Sequence, residues 1–398
     1  MKVAWVSVYN AEDPNAYDGR GYYAPLSLKN QSISVEYIGP LQIPIVLRLF
    51  RKLFITKHRL LHDNRFIKPS DRRSYPRNNI PFVFKHYACQ VSRQLSSLPN
   101  IDIVCSGVNP CIQPTAYLEC KQPIVIWADT TYASAIDFYP DYFRNVICEE
   151  SIRDITAIEK AALSRCRLAI FSSEWGAQSA IDHYQFDPSK TRVVPFGANF
   201  ECNRNLDDIK KLVDDRPRDK CKLLFVGLEW VRKGGDIAFQ VVKELNKAGL
   251  PTELTVVGCQ PIIDEPLPSF VRPLGRISNA THEGLDRLYK LFAESHFFIM
   301  PSRAETFGHV FCEASSFGVP NIASNVGGIP TAVRNGVSGR TFSKDASIEE
   351  YCAYISDLFS NYSRYKDLAV SSFNEYELRL NWSVAGRSVK RLLSELIP

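Results

Sequence analysis

Short apolar runs alternate along the chain with amphipathic stretches that are long enough to form helices. In the first half the apolar runs cover residues 3–9, 101–106, 124–128, 168–172 and 191–195. In the second half they cover residues 223–227, 254–257, 297–300 and 321–323, with helices expected over 236–248 and about 308–317. Alternation of this kind is typical of parallel sheets covered by helices. It predicts an α/β fold of two doubly wound, Rossmann-like domains that face each other.

The chain length and one polar segment predict where these domains divide. At roughly 150 residues per domain, 398 residues allow two or three domains. Segment 203–222 is rich in charged residues and breaks the apolar pattern, so we expect a linker near it. The expected domains are 1–202 and 203–379, and a last helix over about 380–398 could pack back on the first. Ligands of such sheets lie beyond the carboxyl ends of the strands, which predicts a site in the cleft between the domains.

The composition excludes several other classes of protein. With 45% apolar and 23% charged residues, the chain is expected to be globular rather than fibrous or disordered. Eleven cysteines include no C-x-x-C pair, so we interpret them as buried thiols of a protein in a reducing compartment. No apolar run approaches the length of about 18 residues that crosses a bilayer. We therefore expect a cytoplasmic protein that does not span a membrane.

The densest cluster of chemically useful residues is segment 301–314, in which Glu305 precedes Glu313 by eight positions. Glu305 is expected at a strand-to-helix turn, where it points into the cleft, and Glu313 lies further along the helix within reach of a ribose diol. Backbone N–H groups at the start of that helix suit a phosphate group. Alternatively, Glu305 is a first-turn acid that favours the helix dipole and Glu313 belongs to a solvated helix face. Paired carboxylates also occur in glycoside hydrolases, but hydrolysis leaves the phosphate-seeking features unexplained.

Two further loops follow predicted strands and contain glycine. Arg232 and Lys233 stand beside two glycines, where cations could neutralise a diphosphate leaving group. One of two adjacent side chains usually points away from a ligand, and Lys233 is the stronger candidate of the two for binding the diphosphate. Loop 325–331 contains Gly327 and Gly328, which permit close backbone approach to a ligand but equally suit a plain turn.

These motifs resemble those of the family 4 retaining glycosyltransferases, which have the GT-B fold. The resemblance covers residues 220–340 and includes an E-x7-E motif at Glu305 and Glu313, an R-K-G segment at 232–234 and a G-G-I-P loop at 327–330. The first half resembles the family more weakly, at residues 19–23, 128–131 and 194–199. The resemblance implies transfer of a sugar from a nucleotide-sugar donor to an acceptor hydroxyl, with retention of the anomeric configuration. The acceptor would be a glycan or a lipid-linked molecule.

The resemblance also implies a role for each matching residue. Glu305 would hold hydroxyls of the donor sugar, Glu313 would accept from the ribose hydroxyls, and Arg232 and Lys233 would clamp the diphosphate. No residue need act as a covalent nucleophile. The expected donor-binding set also includes Thr306, Phe307, Gly308, Gly19, Gly21, Gly327 and Gly328.

Three other residues each have two interpretations. Asp129 is counted among the catalytic candidates, since its carboxylate could bind a sugar hydroxyl or stabilise an oxocarbenium-like state. His309 is a packed polar residue or, less often, a ligand. Trp230 could stack on a base or simply cover the turn.

The chain contains no Asp-x-Asp pair of the kind that holds a divalent ion against a diphosphate, so we expect no metal and no cofactor. Two alternatives to a glycosyltransferase remain open. One is a nucleotide-sugar epimerase, or another GT-B enzyme such as a phosphorylase. The other is a non-catalytic protein that binds nucleotide sugars and membranes.

Residues 48–93 form a basic stretch with 12 Lys and Arg against Asp63 and Asp71, although the whole chain has a net charge of only +5. Apolar residues interleave with the first cations, namely Leu47, Leu49, Phe50, Leu53, Phe54 and Ile55. This pattern indicates either a helix lying on an anionic membrane or a solvated surface that could receive an anionic acceptor. Nucleic acid is not expected, because no nucleic-acid-binding module surrounds the patch.

Overall fold

The computed structural model describes residues 1–15, 19–62, 73–107, 111–200 and 202–397. It divides into two compact units. The first unit comprises residues 1–194 and the chain from Gly386 onward, and the second comprises Pro195–Ala385. The three cations Arg65, Lys68 and Arg72 of the predicted basic stretch lie outside the described residues, as do the two acids Asp63 and Asp71.

The first unit is built on a six-stranded parallel sheet with the strand order β2-β1-β3-β4-β5-β6. Its strands are β1 (Lys2–Val6), β2 (Ser34–Ile38), β3 (Ile103–Gly107), β4 (Ile124–Ala128), β5 (Leu168–Phe171) and β6 (Thr191–Val193). Its helices are α1 (Arg20–Lys29), α2 (Ile45–His62), α3 (Pro81–Ser97), α4 (Tyr132–Phe138), α5 (Glu149–Arg165) and α6 (Glu174–Tyr184). Every residue of β3 and β4 is buried, as expected for central strands covered on both faces.

The second unit repeats this plan with the parallel strand order β12-β11-β10-β7-β8-β9. Its strands are β7 (Cys221–Val226), β8 (Thr252–Val257), β9 (Val271–Pro273), β10 (Phe297–Met300), β11 (Asn321–Ser324) and β12 (Gly339–Phe342). Its helices are α7 (Leu206–Asp214), α8 (Gly235–Lys247), α9 (His282–Glu294), α10 (His309–Ser315), α11 (Ile329–Ala332), α12 (Ile348–Ser360) and α13 (Tyr362–Arg379). The predicted α/β fold with two doubly wound units is confirmed.

The last helix, α14 (Trp382–Ser394), begins in the second unit and ends in the first. Its later part packs on α1: a Cβ atom added to Gly386 would lie 2.4 Å from the Ser27 carbonyl oxygen. The Lys390 ammonium also donates a hydrogen bond to the Gln31 carbonyl at 2.8 Å. This is the first-unit packing that the sequence analysis considered for the final helix.

Segment 203–222 is not a linker. It contains α7, whose amino end is closed by a capping box in which the Asn205 side chain accepts from the Asp208 backbone and Asp208 accepts from the Asn205 backbone. The charged residues that break the apolar pattern here are therefore helix-capping and surface residues, except Arg216, which is buried and donates to the Gly318 and Phe317 carbonyls. Contacts divide the chain after Val194 instead of at residue 202, so the units differ from the predicted domains at this end.

His296, directly before β10, is a buried histidine that the fold keeps neutral. The backbone N–H of Lys222 donates to its Nδ1 at 3.0 Å, so this nitrogen has no proton. Burial lowers the pKa of His296 to about 3, and the positive charge of Arg216 acts in the same direction. Protonation of His296 is therefore coupled to unfolding.

Stability should decrease in acid because of His296. The unfolded side chain binds a proton near pH 6.5 and the folded one only near pH 3, so the free energy of unfolding should fall by up to about 1.4 kcal/mol per pH unit in this window. In the variant His296→Asn, which keeps an acceptor for the Lys222 amide, this dependence is removed. The variant should be less stable than the wild type at pH 6.5. Because only the wild type loses stability through His296, urea denaturation should show this difference in the free energy of unfolding decreasing by roughly 2 kcal/mol between pH 6.5 and about pH 5. An equal deficit at both values would contradict a neutral His296.

Candidate functional site

The strand order of the second sheet places two predicted loops side by side. The chain leaves β7 towards β8 on one side and returns to β10 on the other, so β7 and β10 are neighbours at the point where the order reverses. In parallel sheets, ligands bind beyond the strand ends at such a point. Loop 227–234 follows β7 and loop 301–308 follows β10, so the sheet itself brings the two motifs together.

Trp230 covers the first of these loops from inside. Its indole is only 2% exposed, packs on Phe225 with ring centroids 5.5 Å apart, and donates from Nε1 to the Ile262 carbonyl at 3.1 Å. Gly235 lies against the same ring, where an added Cβ atom would come within 2.2 Å of the indole. Of the two interpretations of Trp230, the structure supports the one in which it covers the turn.

Lys233 and Glu305 form an ion pair between the two loops. The Lys233 side chain is 15% exposed and that of Glu305 is 10% exposed, so the pair is poorly solvated but still reachable. The backbone carbonyl of Glu305 accepts a hydrogen bond from the Gly328 N–H at 3.1 Å. Three motifs that the sequence analysis selected separately therefore meet at one place.

Arg232 is tied to protein groups rather than being an isolated cation. Its guanidinium forms an ion pair with Glu229 and donates to the Ala304 carbonyl at 2.9 Å. Its own carbonyl accepts from the Arg303 N–H at 2.8 Å. These contacts fasten loop 227–234 to the residues just before Glu305, and they make Arg232 a loop-positioning residue in this structure.

A contact between loop 301–308 and the first turn of α8 escaped the sequence analysis. The Arg303 guanidinium forms a two-pronged pair with the Asp236 carboxylate, with N···O distances of 2.8 and 2.7 Å. Burial disfavours the ionised acid, yet Arg303 outweighs that effect and holds the pKa of Asp236 below its usual range. The only sequence signal was a cation two positions before Glu305 and an acid in the first turn of a helix.

The segment 306–308 contributes differently from residue to residue. The Phe307 side chain is only 1% exposed and packs against Phe196 and His309. Any contact of Phe307 with a nucleotide-sugar donor would therefore have to come from its backbone. His309 Nδ1 lies 2.8 Å from the Gly197 carbonyl, and its ring stacks on Phe196 with an interplanar angle of 6°. His309 is thus a packed polar residue. Thr306 and Gly308 lead into α10, which begins at His309.

Glu313 lies on α10 against the segment 194–199 that the sequence analysis had also marked. Burial raises the pKa of Glu313 to about 7, and a hydrogen bond from the Asn199 backbone partly offsets this rise. The raised pKa favours the protonated form of this carboxyl group compared with an exposed glutamate. Gly327 and Gly328 form the turn that leads into α11, where Pro330 occupies the first turn of the helix.

In the first unit, Asp129 follows β4 and is paired with a cation. Arg20, the first residue of α1 after Gly19, forms an ion pair with the Asp129 carboxylate. Both side chains are less than 15% exposed, and Gly21 is buried in the same turn of α1. The sequence analysis missed this role of Arg20; its signal was a single cation between two glycines.

Neither a metal cluster nor a membrane span is found in the described part of the chain. Among the described residues, no group of three His, Cys, Asp or Glu side chains is arranged to hold a metal ion. Within those same ranges, no helix is long and apolar enough to cross a bilayer. All eleven cysteines are free thiols.

Comparison with known proteins shows that most of the second unit is similar to glycosyltransferase domains. Residues 220–361 match the family model of the Glycosyl transferases group 1. A D-inositol 3-phosphate glycosyltransferase of Acidothermus cellulolyticus is 32% identical over 175 residues, which cover 41% of this chain and 39% of that relative. The chain spans at most about half the length of the curated relatives that it matches.

Solved structures extend the likeness to both units. The sucrose-phosphate synthase of Thermosynechococcus elongatus superposes with a TM-score of 0.65 at 15% identity, covering 100% of this chain and 99% of that one. The Anabaena protein HepE in complex with UDP superposes with a TM-score of 0.64 at 16% identity, covering 99% of this chain and 100% of that one. This likeness concerns the fold, and it confirms the predicted GT-B class.

Gly234 should be essential to the geometry of the two loops. It has φ +76°, and an added Cβ atom would lie 2.1 Å from the Pro301 carbonyl oxygen. Gly234→Ala should therefore lower the free energy of unfolding by about 3 kcal/mol, combining backbone strain with a steric clash. Gly249→Ala is the matched control, since Gly249 has φ +86° but nothing within 4 Å of an added Cβ atom. It should cost only about 1 kcal/mol in urea denaturation. Equal losses would show that the loops do not depend on this close approach.

Proposed function

We propose that this chain is a retaining glycosyltransferase that moves a sugar from a nucleotide-sugar donor to the hydroxyl of a glycan or lipid-linked acceptor without a metal ion. The observation that carries the proposal is the Lys233–Glu305 pair at the strand-order reversal of the second sheet. This pair lies inside the segment that matches the Glycosyl transferases group 1. The solved structure of HepE with UDP supports a nucleotide donor for a protein of this fold.

The pair offers opposite charges to opposite parts of such a donor. The Lys233 ammonium would bind the diphosphate and neutralise the charge that develops on the leaving group. The Glu305 carboxylate would accept hydrogen bonds from hydroxyls of the transferred sugar. When the donor is absent, each group compensates the other, so neither charge is left buried and unpaired. Arg232 would hold the loop in place and add positive potential near the phosphates.

Retention follows if the acceptor attacks on the face from which the diphosphate departs. The bond from the anomeric carbon to the phosphate oxygen breaks, the bond to the acceptor oxygen forms, and the acceptor proton passes to the released phosphate. No protein side chain forms a covalent intermediate in this scheme. Asp129 forms an ion pair with Arg20, and its carboxylate would also accept a hydrogen bond from a sugar hydroxyl.

Glu313 would bind the ribose hydroxyls of the donor. Because its pKa is raised to about 7, its strength as an acceptor would increase as the pH rises through neutrality. The free thiols are consistent with an activity in a reducing compartment such as the cytoplasm.

Lys233→Gln should weaken nucleotide binding. Removal of a buried cation from a diphosphate contact should cost about 1.5–3 kcal/mol, which corresponds to about a 10- to 100-fold weaker Kd for UDP or the preferred nucleoside diphosphate. Calorimetry in the presence of a chelator gives the measurement. Lys243→Gln is the matched control, because Lys243 lies on helix α8 directly after the same loop and pairs with Glu265 at 2.6 Å on the surface. Equal Kd values for wild type and Lys233→Gln would remove Lys233 from the donor site.

Glu305→Gln should separate binding from transfer. The amide keeps the shape of the side chain and removes its charge, so nucleoside diphosphate binding should persist while kcat for sugar transfer falls by about 100-fold or more. Transfer to an acceptor with a retained anomeric configuration can be followed by NMR of the product. Full turnover in this variant would refute the role of Glu305. Donor conversion to an isomeric nucleotide sugar without any acceptor would favour an epimerase instead.

A further inference from the structure

Helix α2 presents an apolar face to solvent. Six large apolar side chains of this helix are between 55% and 74% exposed, namely Ile45, Val46, Leu49, Phe50, Leu53 and Leu60. At 100° per residue they fall within an arc of about 140°, so they form one continuous stripe. The other exposed large apolar side chains in the described ranges are scattered or form much smaller groups. A stripe of this kind marks an interaction surface.

The opposite face of α2 fixes the helix to the first unit. Phe54 packs edge-on against Tyr75 with ring centroids 5.0 Å apart and lies near Phe82. His58 is buried, and its Nε2 lies 3.0 Å from the Glu150 carboxylate on α5. The exposed stripe is therefore not the core-facing side of the helix.

The charged side chains of helix α2 itself have a single sign. Helix α2 contains no acidic residue. Arg48, Lys52 and Arg59 are exposed and fall within about 40° of each other along one edge of the stripe. Lys57 lies within the apolar arc, where its long side chain can extend past the leucines. An apolar stripe bordered by cations is complementary to an anionic lipid surface, since acyl chains and headgroup phosphates occur side by side there.

A groove lies along the other edge of the stripe. It has a volume of about 550 Å³ and is lined by Leu47, Phe50, Leu53, Phe54, Lys57 and Phe82. All but one of these side chains are apolar, and the volume is within the range of roughly 300–1,000 Å³ that is typical of ligand pockets. Such a groove suits a hydrocarbon chain with an anionic group near Lys57.

We propose that α2 is an interfacial membrane helix: its stripe enters the surface of an anionic lipid bilayer, its basic edge binds headgroup phosphates, and its groove takes one acyl chain. This inference goes beyond the proposed function, since it holds whether or not the protein transfers sugar.

The test uses the full chain without any sugar donor. Sedimentation with vesicles of phosphatidylcholine containing about 30% phosphatidylglycerol should pellet the protein with an affinity about tenfold or more above that for pure phosphatidylcholine at about 0.1 M salt. The double variant Leu49→Ser/Leu53→Ser should lose about tenfold or more of this affinity. Leu378→Ser is the matched control, because Leu378 is 75% exposed on α13 in the second unit, and it should bind like wild type. Thermal unfolding of each variant checks that the fold is intact.

Two further variants test the charge and the depth of insertion. Lys52→Gln/Arg59→Gln should reduce the preference for anionic vesicles by about tenfold, whereas Lys290→Gln, 77% exposed on α9, should not. The variant Leu53→Trp should show blue-shifted emission of the new indole, and lipids brominated on the acyl chain should quench it.

Three outcomes would overturn the proposal. One is vesicle binding that Leu378→Ser weakens as much as Leu49→Ser/Leu53→Ser does. Another is an indole emission of the Leu53→Trp variant that brominated lipids leave unchanged. The third is a wild-type chain that ignores vesicles and instead forms a dimer that Leu49→Ser/Leu53→Ser makes monomeric.

Discussion

The ion pair between Lys233 and Glu305 joins the loop after β7 to the loop after β10, and the rest of the candidate site depends on this contact. A lysine and a glutamate that are mostly buried are stable there only because each compensates the other. Two further contacts fix the positions of these loops beside the pair: Arg303 binds Asp236, and Arg232 donates to the Ala304 carbonyl. The site is thus preorganised by protein groups and offers one cation and one carboxylate to an incoming ligand.

Much of the fold follows from the apolar pattern because the central strands are completely buried. Strands β4 and β10 have continuous apolar sequences, and the sequence analysis located both. The edge strands β2, β9 and β12 escaped it: each is partly exposed and interrupted by polar residues or proline, which weakens the apolar signal. Helix α7 was mistaken for a linker, since its capping acids resemble the charged residues of a loop.

The residues of the candidate site could be selected from the sequence, but the ion pairs that they form with each other could not. Lys233 and Glu305 were both selected, yet they are 72 positions apart, and only the adjacency of β7 and β10 brings them together. Arg20 and Asp129 are 109 positions apart and follow β1 and β4, which are separated in the first sheet only by β3. The short-range pair of Arg232 with Glu229 is different, because a spacing of three residues could have suggested it.

The course of α14 sets a rule for dividing this protein. The first unit needs residues from both ends of the chain, because Gly386 packs against Ser27 on α1 and Lys390 donates to the Gln31 carbonyl. A fragment cut at residue 194 would expose the surface of α1 that this helix covers. To express the first unit alone, the segment from Gly386 onward would therefore have to be fused to residues 1–194. The second unit, in contrast, is one contiguous segment of the chain.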